Sequence, residues 1–140
     1  MSPSPATPAP VVDALAWVRL SGRRLLCVRT REHELFYLPG GKREPGESDA
    51  EAVTREAAEE VGVVLRPATI TPYAVIDEAA HGYPEGTRVR LACFTAEHDG
   101  EPAARNEVAE LAWFGSADRA RCAPAVRRLL DLLRADGLID

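Results

Sequence analysis

The sequence predicts a mixed α/β (α+β) domain, in which a mixed β-sheet is covered by helices. Three observations predict it. Strand-like apolar runs lie on both sides of one strongly patterned helix, a second amphipathic helix follows near the end, and the length of 140 residues suits one domain. Residues 1–10 are rich in proline and serine and are expected to form a disordered or extended tail, which leaves residues 11–140 for the domain.

The first strands are predicted from apolar runs that end at turn residues. The run from Val11 to Leu20 is expected to form a strand that ends at a turn over residues 21–23, with residues 25–28 as its hairpin partner. A further short run over residues 35–38 stops at Pro39-Gly40-Gly41, which breaks the chain sharply.

The central helix is expected over residues 49–61. Ser48 and Glu51 form a capping box, S-x-x-E, which satisfies two backbone donors at the helix start. Gly62 stands where a left-handed C-cap is required. Apolar residues at helical spacing predict the face that packs on the core, and they are Ala50, Val53, Ala57 and Val61.

The rest of the chain predicts three more strands and a last helix. Each strand is an apolar or alternating run, and each is bounded by glycine, proline or another turn residue. The expected strands are residues 70–76, 88–93 and 111–114, the turns are residues 83–86 and 99–100, and the helix is residues 124–135.

Composition and charge disfavour several classes of function. The net charge is −5, whereas modules that bind nucleic acid are more often basic, so a DNA or RNA duplex is a disfavoured partner. No apolar run approaches the length of a membrane span. Residues 1–10 also lack the basic start and the apolar stretch of a secretory signal.

The cysteines indicate the cellular compartment. Cys27, Cys93 and Cys122 lack the spacing of a disulfide framework or of a zinc site. Cys27 and Cys93 lie in strand-like apolar runs and are expected to be buried. A sparse, unpaired set is typical of a reducing compartment, so the sequence predicts a cytoplasmic protein.

The segment from Gly41 to Val63 carries the residues that indicate chemistry. Glu56, Glu59 and Glu60 are spaced i, i+3, i+4, so a helix places all three on one side. Like charges at this spacing repel, and the helix dipole disfavours anions in the last turn. A bound Mg²⁺ ion reverses both penalties because it prefers hard oxygen ligands. Taken alone, such a cluster is more typical of a solvated helix face.

The same segment resembles the signature of the Nudix hydrolases, G-x5-E-x7-R-E-U-x-E-E-x-G-U, in which U is a bulky apolar residue. Val63 fills the last U, and Ala57, smaller than usual, fills the first. The fixed positions are filled by Gly41, Glu47, Arg55, Glu56, Glu59, Glu60 and Gly62. The resemblance implies the Nudix fold, a mixed β-sheet sandwiched between helices in a single domain. It also implies metal-dependent hydrolysis of a pyrophosphate bond in a nucleoside diphosphate linked to another moiety.

The resemblance further implies a role for each matching residue. Glu56, Glu59 and Glu60 match the metal-binding glutamates, with Mg²⁺ as the expected ion and Mn²⁺ as an alternative. Glu56 is also a candidate catalytic base, and the carbonyl of Gly40 matches a further metal ligand. The residues that match the supporting positions of the box are Gly41, Glu47, Arg55 and Gly62. Among them, Glu47 and Arg55 are expected to form an ion pair.

Members of this family often use one more acid from a later loop. Glu107 precedes a strand that contains Trp113, as that acid does in MutT-like members, so it is a candidate metal ligand and catalytic base. Glu110 is the competing candidate. For both, the alternative is an exposed loop acid without a role.

The expected substrate is a small-molecule nucleotide, with a nucleoside triphosphate as the leading choice, as in MutT-like members. This choice rests on the short length and on missing subgroup motifs, and an ADP-ribose or nucleotide-sugar pyrophosphatase is the alternative. The candidates for contact with the base are the aromatic residues Phe36, Tyr37 and Trp113. The candidates for contact with the phosphates are Arg88 and Arg90. The alternative for the aromatic residues is a place in the core, and for the arginines a solvated face of the sheet.

Two functions of other classes are alternatives to the enzyme. A non-catalytic nucleotide-sensing domain on the same fold typically loses glutamates of the box, whereas this chain keeps all of them. A protein-interaction domain would be supported by a large exposed apolar patch, which a sequence does not show. These patterns are compatible with a monomer and with a homodimer.

Overall fold

A computed structural model describes residues 10–140, which form two β-sheets, a two-stranded ribbon and two α-helices. Nine of the ten residues of the predicted tail lie outside the described residues, and the limits 11–140 stay a prediction. The elements are β1 (Val11–Trp17), β2 (Leu20–Ser21), β3 (Arg24–Thr30), β4 (Gly40–Lys42), α1 (Asp49–Val61), β5 (Val64–Leu65), β6 (Thr71–Ala79), β7 (Arg88–Thr95), β8 (His98–Asp99), β9 (Val108–Phe114) and α2 (Pro124–Ala135), with short 3-10 helices at Pro67–Thr69 and Ser116–Arg121.

The larger sheet is mixed and has the strand order β4-β1-β7-β6. β1 runs parallel to β7, whereas β1 with β4 and β6 with β7 are antiparallel. The second sheet is antiparallel, in the order β2-β3-β9, and β5 pairs with β8 in the ribbon. The predicted fold class, a mixed α+β arrangement in a single domain, is confirmed.

The first apolar run differs from the prediction. It is not one strand with residues 25–28 as its partner, because it breaks at residues 18–19 and its two parts enter different sheets. β1 is buried along residues 14–17, as a central strand is, and it has β4 and β7 on its two edges. The hairpin with β3 is formed by β2 alone.

Two hydrophobic cores lie on opposite faces of β1. Leu15 and Trp17 belong to the core that contains the buried face of α1. Ala16, between them in sequence, belongs to the core that contains the buried face of α2. This division follows from the alternation of side chains along a strand. β1 therefore contributes to both helix-covered cores.

α1 begins and ends where the sequence predicts. The backbone N–H of Glu51 donates to Ser48 Oγ, and the backbone N–H of Ser48 donates to the Glu51 carboxylate, both at 3.1 Å. Gly62 adopts the left-handed conformation, with a φ of 70°. The buried face differs at one position, because Ala52 is buried while Ala50 is only half-buried.

The later elements agree in type and differ in extent. β6 and β9 are longer than predicted, at nine and seven residues, because their pairing with β7 and β3 continues past the apolar runs. Residues 35–38 form isolated bridges with Val28 and Cys122 instead of a strand. α2 occupies the predicted residues.

All three cysteines are buried and free, as predicted for Cys27 and Cys93. In the described part of the chain, neither helix is long and apolar enough to cross a membrane.

Candidate active site

Arg55 connects the acidic residues of the box to one another. Its Nε and Nη2 atoms donate to the two carboxylate oxygens of Glu47 at 2.7 and 2.9 Å, a bidentate ion pair that joins α1 to the loop before it. Its Nη1 atom donates to Glu56 at 2.9 Å and to Glu59 at 3.4 Å. The guanidinium lowers the pKa of Glu47 to about 2, since its hydrogen bonds favour the ionised carboxylate.

Two glycines bring the backbone of β4 against α1 and β1. A methyl group added to Gly41 would lie 2.7 Å from the carboxylate of Glu56, and one added to Gly40 would lie 2.1 Å from the carbonyl oxygen of Leu15. At Gly40 the neighbour is backbone, so glycine is required for this close approach, whereas a side chain at Gly41 would displace the carboxylate of Glu56. The backbone N–H of Gly40 donates to Oε1 of Glu60 at 3.1 Å.

The loop before β9 binds the last turn of α1. The backbone N–H of Arg105 donates to the carbonyl of Glu60 at 3.0 Å, and the side-chain amide of Asn106 donates to the carbonyl of Glu59 at 2.6 Å. These bonds satisfy carbonyls that a helix end leaves without partners. Asn106 has a φ of 54°, which asparagine tolerates better than most residues. The loop thereby brings Glu107 close enough to Glu60 for their charges to interact.

Glu60 is the acid whose ionisation this site disfavours most clearly. Its pKa is raised to about 8, first by burial and then by the negative charges of Glu56, Glu107 and Glu59. The hydrogen bond from Gly40 acts in the opposite direction. Among the residues that the structure describes, no cationic side chain forms an ion pair with Glu60. The cluster therefore holds more negative charge than the surrounding side chains compensate.

The pKa of Glu56 is also raised, because burial outweighs the lowering effect of Arg55. The Glu56 side chain is 12% exposed, whereas that of Glu59 is 53% exposed. Among the glutamates of α1, Glu56 is thus shielded from solvent and Glu59 is open to it.

These acids line part of a cavity of about 510 Å³, a volume typical of small-molecule sites. Most of the wall is aliphatic and comes from β1, β7 and the start of α2. The remaining polar lining consists of one lysine and several residues from two turns, namely Lys42, Thr30, Glu32, His33, Tyr37, His81 and Tyr83.

Most of the predicted site residues are brought together here. The cavity is lined by Gly40, Gly41, Glu56, Glu59, Glu60, Glu107 and Tyr37. Glu47, Arg55 and Gly62 lie behind this lining, in the ion pair and at the end of α1. Glu110, the competitor of Glu107, instead pairs with Arg29 at 2.7 Å across β3 and β9.

The aromatic candidates other than Tyr37 do not line the cavity. Phe36 is 2% exposed, and its ring packs against Phe114 with 4.8 Å between ring centres. Trp113 lies on β9 outside the cavity and is 37% exposed. For Phe36 the core interpretation is therefore correct.

The predicted phosphate contacts of Arg88 and Arg90 are also not supported by their positions. Side chains alternate along β7, and Val89 and Leu91 are the ones that line the cavity. Arg88 instead pairs with Asp77 on β6 at 2.8 Å. The solvated-face interpretation therefore describes these arginines better.

The sequence patterns predict no role for four residues that line the cavity, namely His33, Lys42, His81 and Tyr83. A turn over residues 83–86 was predicted, but a turn signal does not show what the turn packs against. The contact between His33 and the turn at Gly82 spans almost fifty residues of sequence, and no local pattern encodes it. Lys42 lies inside the box, at a position that the signature leaves variable.

Comparison with known proteins identifies the family. The NUDIX domain family model matches residues 9–133, nearly the whole chain. The chain belongs to the Nudix family. The predicted family is confirmed.

A curated relative of this Nudix chain is "Putative ADP-ribose pyrophosphatase YjhB" from Bacillus subtilis (strain 168). It is 34% identical over 98 residues, which cover 67% of this chain and 46% of the relative. The chain thus matches about half the length of that protein.

Solved Nudix structures resemble the whole described fold. The E. coli ORF135 protein has a TM-score of 0.72 at 24% identity and covers 95% of this chain and 97% of its own. A MutT NUDIX hydrolase from Burkholderia pseudomallei has a TM-score of 0.69 at 25% identity, over 86% and 95% of the two chains. The MutT protein of Methanosarcina mazei Go1 has a TM-score of 0.71 at 19% identity, over 94% and 99%. The first and third of these likenesses support the fold alone.

The donor set of this Nudix site fits a hard divalent cation. Carboxylates and a backbone carbonyl are the oxygen ligands that Mg²⁺ prefers, and a cation would compensate the charge that raises the pKa of Glu60. Within residues 10–140, no group of three or more histidine, cysteine, aspartate or glutamate side chains is arranged so that it could hold a metal ion by itself. Mg²⁺ commonly takes several of its ligands from water and substrate phosphate, so it does not need a complete set of protein ligands.

Proposed function

We propose that the protein is a metal-dependent pyrophosphohydrolase that cleaves a pyrophosphate bond in a nucleoside diphosphate linked to another moiety. The observation that carries this proposal is the convergence of Glu56, Glu59, Glu60 and Glu107 on one cavity. As a purely structural device the cluster is unfavourable, because like charges repel and burial disfavours the ionised form. A site for a cation and a phosphate chain accounts for it.

The metal ligands are proposed to be these four glutamates and the carbonyl of Gly40, with Mg²⁺ as the ion and Mn²⁺ as an alternative. When bound, the cation would neutralise negative charge on the phosphates and lower the pKa of a water molecule. The chain itself orients the ligands, because Arg55 binds Glu56 and Glu59 and the N–H of Gly40 binds Glu60.

Glu56 is the leading candidate for the base. Burial raises its pKa above the usual value of a glutamate, which suits a group that must take up a proton in the reaction. Arg55 binds Oε1 of this carboxylate and leaves Oε2 for the proton. Water attacks one phosphorus of the bridge, the bridging P–O bond breaks, and the carboxylate accepts the proton that the water loses. Glu107 lines the same cavity and is the second candidate.

A nucleoside triphosphate is the leading substrate. The cavity combines acidic residues with an aliphatic wall and has the volume of a small-molecule site. The likeness to a MutT NUDIX hydrolase at 25% identity supports the same choice. ADP-ribose is the second candidate, because the curated relative carries that activity in its name.

The proposed compartment is the cytoplasm. Its support is the set of three free, buried cysteines, which is typical of proteins in a reducing environment.

Glu60→Gln tests the function. The variant keeps the size of the side chain but removes its charge, so we expect turnover to fall by about 10³-fold while the fold is retained. Glu110→Gln is the matched control, because the same change is made in an acid that pairs with Arg29 outside the cavity. Its turnover should stay near that of the wild type.

The assay measures release of phosphate and pyrophosphate from canonical and oxidised deoxynucleoside triphosphates, ADP-ribose, nucleotide sugars and dinucleoside polyphosphates. Each substrate is tested with Mg²⁺ and with a chelator. Near-normal turnover by Glu60→Gln would overturn the proposed site. Nucleotide binding without release from any of these substrates would identify a nucleotide-sensing domain instead.

A further inference from the structure

Three ring side chains meet in a more exposed part of the cavity. His33 and Tyr37 come from the segment after β3, and His81 comes from the turn between β6 and β7. The ring centres are 5.3 Å apart for His33 and Tyr37, 5.8 Å for the two histidines, and 5.9 Å for Tyr37 and His81. All three side chains line the cavity. We refer to these three residues as the ring cluster.

Tyr37 and His81 form a hydrogen bond between the phenol oxygen and Nδ1 of the imidazole. Burial raises the pKa of Tyr37, so its hydroxyl is protonated at neutral pH and can donate to Nδ1. A neutral imidazole that accepts at Nδ1 carries its hydrogen on Nε2. Among the described residues, this Nε2 has no hydrogen-bond partner, so it is available to a ligand.

The rest of the wall offers a nucleotide base contact area but few polar partners. Apart from the acids of the site and Thr30, Glu32, Lys42 and Tyr83, its side chains are aliphatic, and they include Val12, Ala14, Leu38, Val89, Leu91 and Val126. The ring cluster, by contrast, supplies aromatic rings on which a base can stack, and it also supplies an N–H donor. Stacking on aromatic rings holds every base, and each base carries at least one acceptor on its edge.

The acidic side chains that would hold a cation for the phosphates are not part of this cluster. The acids of α1 interact with one another and with Glu107, while the neighbours of Tyr37 are rings. The cavity therefore divides into an acidic part, suited to a cation with phosphate, and a ring-lined part, suited to an uncharged heterocycle.

We propose that His33, Tyr37 and His81 bind the base of the nucleotide substrate, with the Tyr37–His81 pair supplying its hydrogen bond. This inference rests on the proposed function, because it assigns the base-binding part of the same site. The recognised group is an aromatic heterocycle with a hydrogen-bond acceptor on its edge.

Tyr37→Phe tests the pair because it removes the hydroxyl and keeps the ring. His81 then loses the partner that fixes its tautomer and orientation. We expect KM for the best substrate to rise by about tenfold, the usual effect of one lost hydrogen bond, with kcat nearly unchanged. Tyr73→Phe is the matched control, since its hydroxyl binds Asp136 outside the cavity, and its KM should equal that of the wild type.

A binding experiment separates this inference from the hydrolase assignment. The intact chain, in the presence of Mg²⁺, is titrated by NMR with a nucleoside 5′-monophosphate and with ribose 5-phosphate, neither of which contains a pyrophosphate bond that could be hydrolysed. We expect the wild type to bind the nucleotide more tightly, and Tyr37→Phe and His81→Gln to lose most of that preference. Affinity for ribose 5-phosphate should be the same in all three proteins, which also shows that the variants are folded.

Equal affinity of the wild type for the two ligands, or an unchanged preference in both variants, overturns the base site even if hydrolysis is observed. If the wild type hydrolyses no substrate but the variants still lose the preference, the proposed function fails and the base site stands.

Discussion

Arg55 donates hydrogen bonds to Glu47, Glu56 and Glu59 from a single planar group. The guanidinium has five N–H donors in a fixed arrangement, whereas a lysine ammonium is one compact charge. Only arginine can therefore bind Glu47 in bidentate form and reach Glu56 and Glu59 at the same time. Its position on the middle of α1 makes it a positioning residue for the acids.

Arg55→Lys should preserve the positive charge and lose the bidentate hydrogen-bond geometry of the guanidinium. We expect kcat to fall by about 10–100-fold, the usual effect of losing a partner that orients metal ligands, while KM for the nucleotide changes little. The matched control is Arg119→Lys. Arg119 also forms a bidentate ion pair, but its partner is Asp131, and this pair joins the 3-10 helix at Ser116–Arg121 to α2. Steady-state kinetics of both variants check the result, and an equal loss in both would contradict the role of Arg55.

Sequence predicted the residues of the site whose spacing along one helix is fixed. Glu56, Glu59 and Glu60 share a face because of helical periodicity alone, so their proximity needed no tertiary information. Tyr37 and Phe36 looked alike in sequence, and only the packing of Phe36 against Phe114 separates the core residue from the cavity residue.

At the scale of the element, both ends of α1 are anchored by neighbouring segments. The start has its capping box, and the end has the left-handed Gly62 together with the loop of Arg105 and Asn106. A methyl group on Gly62 would lie 2.3 Å from Nε of Arg105, so this glycine provides both the φ value and the space for that loop. The loop continues directly into Glu107.

Gly62→Ala should therefore affect both stability and activity. Gly137, after α2, has a similar φ of 73° but nothing within 4 Å of an added methyl group, so Gly137→Ala is the matched control. We expect each variant to lose about 1–2 kcal/mol from the left-handed conformation, with a further loss in Gly62→Ala because Arg105 must move. Turnover should fall only in Gly62→Ala.

Urea unfolding and steady-state kinetics measure these two effects. Equal losses of stability in the two variants, with turnover unchanged in both, would show that the loop tolerates the displacement of Arg105.

Elements were predictable where their signals are local. α1 and α2 have their predicted bounds because caps, proline and helical periodicity are encoded within each segment. The run from Val11 to Leu20 was predicted wrongly because a central strand and a hairpin strand can have the same apolar composition. Its division between two sheets depends on pairing with β4 and β7, which are distant in sequence.

At the scale of the whole molecule, the metal-free protein should become less stable as pH rises. Glu60 has a pKa of about 8 in the folded chain and an ordinary value of 4.5. Below pH 4.5 the Glu60 carboxyl is protonated in both the folded and the unfolded chain, so it does not lower the free energy of unfolding. Between pH 4.5 and 8 the unfolded chain loses the proton while the folded chain keeps it, so the free energy of unfolding falls, on the order of a few kcal/mol in total.

Comparison with Glu60→Gln isolates this effect, because both proteins share every other titrating group. In chelator, the variant should gain stability relative to the wild type as pH rises from 5 to 8. Saturating Mg²⁺ should stabilise the wild type at pH 8 and reduce that gain, since a ligand that binds only the folded state raises its stability. Denaturant unfolding at several pH values provides the measurement, and a pH-independent difference would contradict the raised pKa.

β1 supplies side chains to the core under α1 and to the core under α2 from a single seven-residue stretch. Neither half of the molecule can melt by itself, since separation of β1 from either neighbour would expose apolar surface on both of its faces. Because one strand belongs to both cores, we expect all-or-none denaturation, in which spectroscopic probes placed in either half report the same transition.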